Sequence, residues 1–199
     1  MKQLFSVLVA TVLTGSLLTS CGDGTRDGDN DGDSTAFENT ARDRTYTDSS
    51  SNASTLSNKD ADLVKDLVES NYEEIKLAQL ASQKSSNAEV KEIATMLEAD
   101  HTAALDKLKQ VAGNASLTVA TGEDEDARDE IKKLSDETGK DFDKDWCKKM
   151  MDKHDKTIET LEKEQNDVTD PAVKSWIAET LPKIRTHHDR LMACHSKLK

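Results

Sequence analysis

Across residues 57–198 the large apolar residues recur three and four positions apart, and nowhere do they alternate with polar ones over the length of a strand. Such spacing lines up apolar side chains on one face of an α-helix, so this part of the chain is constrained to helices that pack by those faces. Aromatic residues make up only 4% of the sequence and charged residues 33%, and the charges fall mostly between the apolar positions, as expected for solvated helix backs. About 140 residues are enough for one domain with a real core.

Start and stop signals divide the pattern. Ser57 with Asp60 opens a first helix whose inner face is Leu63, Leu67, Asn71, Glu74, Ala78 and Ala81, ending near Lys84. Ser86 with Glu89 reads as a capping box for a second, with Val90, Ile93, Leu97, His101, Leu105 and Leu108 inward and Gly113 and Asn114 as the stop. A short helix over residues 123–137 is expected to end on Gly139 as a C-terminal cap. Phe142, Trp146, Met150, His154, Ile158 and Leu161 mark the next helix. Asp170-Pro171 opens the last, whose face runs Val173, Ile177, Thr180, Ile184, His187, Leu191, Cys194 and Leu198, with Pro182 expected to kink it. Four long amphipathic helices with short connections and one extra short helix make an all-α, antiparallel four-helix bundle over residues 59–199.

Height along each helix then locates the polar residues on these faces, because an α-helix rises about 1.5 Å per residue. Glu74, His101, His154 and His187 all fall near mid-helix, where positions from different helices meet in one layer. Two readings of that layer stand. It is a site for a single zinc, copper or iron ion, with Glu98 and Asp100 as supporting carboxylates, or a hydrogen-bonded polar layer that fixes helix register. A di-iron centre is disfavoured, because it needs a Glu-x-x-His motif on two helices. The chain has Glu98-Ala99-Asp100-His101, whereas Met151 and Ile184 stand three residues before His154 and His187. Met96, Met150, Met151 and Met192 read as core filler, and His188 and His195 as part of the C-terminal rim.

The stretches Glu74-Ile75-Lys76-Leu77-Ala78-Gln79-Leu80-Ala81, Val90-Lys91-Glu92-Ile93-Ala94 leading to Asp100-His101, Phe142-Asp143 leading to Met151-Asp152-Lys153-His154, and Thr180-Leu181-Pro182-Lys183-Ile184-Arg185-Thr186-His187 resemble the bacterial family known as domain of unknown function 4142. That resemblance implies a ferritin-like four-helix bundle in an exported protein and implies no established reaction.

The N-terminal region carries an address rather than a core. Lys2 followed by the apolar residues 4–13 has the layout of a secretion signal, and the apolar run is too short to span a bilayer. Leu18-Thr19-Ser20-Cys21 resembles the bacterial lipobox, so residues 1–20 are expected to be cleaved and Cys21 to be acylated. Membrane lipid is then one partner, and the expected location is the cell envelope, anchored at the outer membrane. Residues 21–58 are rich in Gly, Asp, Ser, Thr and Asn and read as a disordered acidic tether. Within it Asp27, Asp29, Asp31 and Glu38 match a calcium loop, without amphipathic helices on either side; a solvated spacer and an acidic sorting signal are the other readings.

A net charge of −12 argues against nucleic acid as a partner. No nucleophile arrangement has supporting local sequence and no Gly-rich phosphate loop is present, so nothing in the sequence points to an enzyme. The leading reading is a non-catalytic interaction or stress-associated envelope module whose protein partner the sequence does not name; the other is a metal carrier, buffer or sensor built on the histidines. One more pairing follows from spacing. Cys147 precedes His154 by seven residues and Cys194 follows His187 by seven, so on antiparallel helices the two cysteines share a layer, and export favours a disulfide between them.

Overall fold

The computed structural model describes residues 55–198, which form α1 (Asn58–Lys84), α2 (Ala88–Asn114), α3 (Glu125–Asp136), α4 (Gly139–Glu164) and α5 (Pro171–Lys197), with no strand among them. The secretion segment, Cys21 and the acidic loop of Asp27, Asp29, Asp31 and Glu38 lie outside the described residues. No described helix is long and apolar enough to cross a membrane.

Local chemistry sets the helix ends, in places through residues other than those the sequence suggests. The Ser57 hydroxyl accepts from the Asp60 backbone N–H at 3.0 Å and opens α1 as expected. For α2 the cap is Asn87 instead of Ser86: its side-chain oxygen accepts from Glu89 and Val90 N–H at 2.9 and 3.2 Å, satisfying two donors the first turn leaves free. At the other end of α2, Ser116 N–H reaches the Gly113 carbonyl at 3.1 Å and Leu117 N–H reaches the Ala112 carbonyl at 2.8 Å. That is a Schellman closure, and its left-handed residue is Ser116 at φ 54°, neither Gly113 nor Asn114. Gly139 is also left-handed, at φ 60°, but it is the first residue of α4 and not the cap of α3, which ends at Asp136. Asp170 caps α5 and α5 continues through Pro182.

Packing partners and end contacts fix the topology. α1 lies on α2 and α4 on α5, α2 also meets α5, α1 meets α4, and α3 rests against α1 and α4. Lys59 at the start of α1 pairs with Glu164 at the end of α4 and with Asp167 just beyond it, each at 2.8 Å, while Lys197 at the end of α5 reaches Glu89 at the start of α2 at 2.7 Å. Thus α1 and α5 run one way, α2 and α4 the other, and the segment 115–138 that contains α3 must travel the length of the bundle. One long crossover of this kind is ferritin-like connectivity.

Asp60 ties the start of α1 to the α4–α5 corner. Its carboxylate accepts from Thr169 Oγ1 at 2.6 Å, Thr169 N–H at 3.2 Å and Asp170 N–H at 3.0 Å, and the residue is almost fully buried. Burial acts to raise this carboxyl, but the donors outweigh it and hold the group below the usual aspartate range. Replacing Asp60 with Ala is expected to destabilise the domain by about 3 kcal/mol, because it strips hydrogen bonds to a charged acceptor and orphans backbone donors. A depressed carboxyl contributes stability above its unfolded value of about 3.9 and loses it as pH falls through the lower folded value. Urea unfolding should therefore show the gap between wild type and Asp60→Ala at neutral pH and its closure in strong acid.

The core falls into two clusters. One gathers Leu77, Val90, Ile93, Leu97, Phe142, Trp146, Met150 and Leu191, and the other Leu63, Val64, Leu67, Leu105, Leu108, Leu161, Val173 and Ile177. Each holds a tryptophan whose indole N–H finds a helix carbonyl at 2.9 Å, Trp146 on Leu77 and Trp176 on Ala104. Met150 is buried as expected of core filler, but Met192 is half exposed. Cys147 and Cys194 do face each other in the first cluster, yet they are free thiols with sulfurs 3.7 Å apart. That is a weak hydrogen bond from the Cys147 thiol to the Cys194 sulfur and not the bond of about 2.05 Å that the expected disulfide would make. Burial pushes both thiols up, so they stay protonated at neutral pH.

Candidate metal centre

Between the two apolar clusters lies one polar layer, made by Asn71 and Glu74 of α1, His101 of α2, His154 of α4 and His187 of α5, all buried. The shared height expected from helical rise is met: the three imidazole rings form a nearly equilateral triangle, with centroids 5.3, 5.5 and 5.5 Å apart.

Hydrogen bonds on the outer side of the triangle assign the ring protons. Asn71 donates its amide to the Leu67 carbonyl at 2.7 Å, which turns its oxygen toward His101 Nδ1, 3.1 Å away. Since that oxygen only accepts, His101 carries its proton on Nδ1. His154 Nδ1 lies 2.9 Å from the Met150 carbonyl, another pure acceptor, so it too is the protonated nitrogen. His187 Nε2 donates to Asp100 Oδ2 at 3.0 Å. What remains is one bare nitrogen per ring: His101 Nε2, His154 Nε2 and His187 Nδ1. All three are buried and have no hydrogen-bond partner among the described residues.

Electrostatics keep these nitrogens unprotonated. Burial, reinforced by the neighbouring rings, drives His101 far below the usual imidazole range and brings His154 down to about 3. Burial also lowers His187, against the pull of Asp100. Neutral imidazoles with free lone pairs are what a transition metal takes as ligands. One ring nitrogen from each histidine lies within 4.8 Å of the others, a set that can close on one ion.

The carboxylates sit behind the rings. Glu74, expected among the ligands, is placed with Oε2 3.2 Å from His101 Nδ1 and Oε1 3.6 Å from His154 Nδ1, on the protonated side of both rings. Burial pushes its carboxyl up to about 8, only partly countered by Lys153. Asp100, next to His101 in sequence, accepts from His187 instead; burial acts to raise it, but the bonds from His187 and Lys183 outweigh this and hold it ionised. Glu98 is elsewhere, accepting from Gln79 Nε2 at 2.9 Å on the α1–α2 surface. Acceptors behind ligating histidines fix the tautomer and aim the free nitrogen, and here every ring has one. Asn71 is a further member of the layer, not expected among its site residues. Its signal was present: an amide one turn before Glu74, on an otherwise apolar face.

A cleft of about 60 Å³ between α2 and α5 reaches this layer, with the buried His101 and His187 on its wall and Lys107, Glu179 and Lys183 toward solvent. Lys183 pairs with Asp100 at 3.3 Å and Lys107 with Glu179.

The model of a family described as a domain of unknown function (DUF4142) matches residues 45–194, and the chain belongs to that family. No curated protein matches the sequence. Among solved structures, the crystal structure of a DUF305 fragment from Deinococcus radiodurans is similar, with a TM-score of 0.65 over 72% of this chain and 99% of that one. At 12% identity this likeness speaks to the fold alone.

Proposed function

We propose that this protein is a metal-binding bundle of the bacterial envelope, holding one zinc, copper or iron ion between His101, His154 and His187 and tethered to the membrane through acylated Cys21. The observation that carries the metal reading is the direction of the three ring protons. Each is spent outward, on Asn71, the Met150 carbonyl or Asp100, which leaves three buried lone pairs pointing away from every described donor. A layer that served only to fix register would let the imidazoles donate to one another. As it stands, each orphaned acceptor costs about 1–3 kcal/mol, a cost that a bound cation removes. Imidazole donors suit zinc, copper and iron and disfavour magnesium or calcium. With no catalytic group in evidence at the layer, carrier, buffer or sensor is the role that fits.

Equilibrium dialysis of the purified chain against zinc, copper and iron, followed by metal analysis, tests the reading. The expected result is one ion per chain, lost on replacing all three histidines. Uptake that is absent, or that survives the triple replacement, overturns it.

A further inference from the structure

We propose that the metal keeps one coordination position open to the α2–α5 cleft, and that a small anion of two or three heavy atoms binds the metal there. The proposal rests on the metal reading above and deepens it.

Ligand count, access and charge lead to it. The ligand set among the described residues stops at three imidazoles, because both nearby carboxyl groups are engaged on the outer nitrogens: Glu74 lies 3.2 Å from His101 Nδ1 and Asp100 lies 3.0 Å from His187 Nε2. A metal with three protein ligands leaves its next position to an exogenous group. The space that reaches this layer from solvent is the cleft of about 60 Å³, whose wall includes His101 and His187, and it is the route we assign to that position. Since roughly 10–15 Å³ admits one water, the space takes a ligand of a few atoms and excludes metabolites of ordinary size. Charge selects the ligand's sign. Neutral imidazoles bring no charge of their own to a buried dication; Asp100 and Glu74 act on it only from behind the rings, and an anion bound directly to the metal offsets the charge where it sits. At the mouth the ammonium groups of Lys107 and Lys183 are each paired with a carboxylate of the lining, Glu179 and Asp100, so the sign is selected at the metal, and Lys183 is held on the same carboxylate that orients His187.

The experiment loads the full chain with cobalt(II) and titrates it with azide, reading the visible cobalt bands. A saturable spectral change is expected. In Ala103→Trp, which places a bulky side chain on the exposed lining of the cleft, azide should bind about tenfold more weakly while cobalt stoichiometry stays the same. Lys183→Glu should weaken azide in the same direction by reversing a charge at the mouth. A cobalt spectrum indifferent to azide overturns the open position and leaves the metal reading standing. Azide binding that ignores both variants overturns the cleft as its route. Failure to take up cobalt, zinc, copper or iron at all overturns this inference together with the proposed function.

Discussion

Without metal, the His154→Leu protein should be more stable than the wild type, by about 1–2 kcal/mol, and with metal the order should reverse. His154 is fully buried between the two apolar clusters, and its Nε2 has no partner among the described residues. Leucine has a similar volume and removes that orphaned acceptor, and replacing an unsatisfied polar group by a well-fitting apolar one is stabilising. Little else is disturbed. The Met150 carbonyl, which accepts from His154 Nδ1 at 2.9 Å, lies inside α4 and keeps its helical partner, and Glu74 keeps its contact with His101. Metal at a thousandfold excess over its dissociation constant should stabilise the wild type by about 4 kcal/mol. The variant, reduced to two imidazoles, should gain almost nothing. Urea unfolding followed by the fluorescence of Trp146 and Trp176, with chelator and with zinc, reads both halves. If His154→Leu weakens the metal-free protein, the histidine layer is there for packing and the metal reading falls.

Cys21→Ser should move essentially all of the protein from the membrane fraction to the soluble fraction after cell lysis. The argument combines the Leu18-Thr19-Ser20-Cys21 motif with the rest of the chain: the apolar run at residues 4–13 falls short of the roughly 20 residues a spanning helix needs, and no described helix can cross a bilayer. An acyl anchor carrying more than one chain holds stably, and without it a domain whose described surface exposes Met192 as its large apolar residue has little to hold a membrane with. Retention of the variant in the membrane fraction would contradict the lipid anchor.

Other features sort by the range of the forces behind them. Apolar residues three and four apart specified helices, and the same periodicity named most of the core, from Leu63 and Leu67 to Ile184 and Leu191, because the 3.6-residue turn is a property of the backbone alone. Boundaries were less legible. Ser86 and Asn87 are both good caps, and which one closes α2 depends on where the chain leaves α1. Ser116 holds the left-handed position after α2 although glycine stands three residues earlier, with Ala112 in the core and the partly buried Leu117 packed against it.

The sequence by itself determined that Glu74, His101, His154 and His187 share one level of the bundle, since height follows from residue count and a fixed rise. It also brought Cys147 and Cys194 to one level by the same count. Only the tertiary structure decided what those meetings amount to. Whether a sulfur lies at bonding or contact distance, and whether a carboxyl group meets the bare or the protonated side of an imidazole, turn on differences of an ångström. Such differences are set by the rotation of each helix and the rotamers that packing allows. On that scale Asn71 and the Met150 carbonyl orient His101 and His154 and turn three histidines into a candidate ligand set.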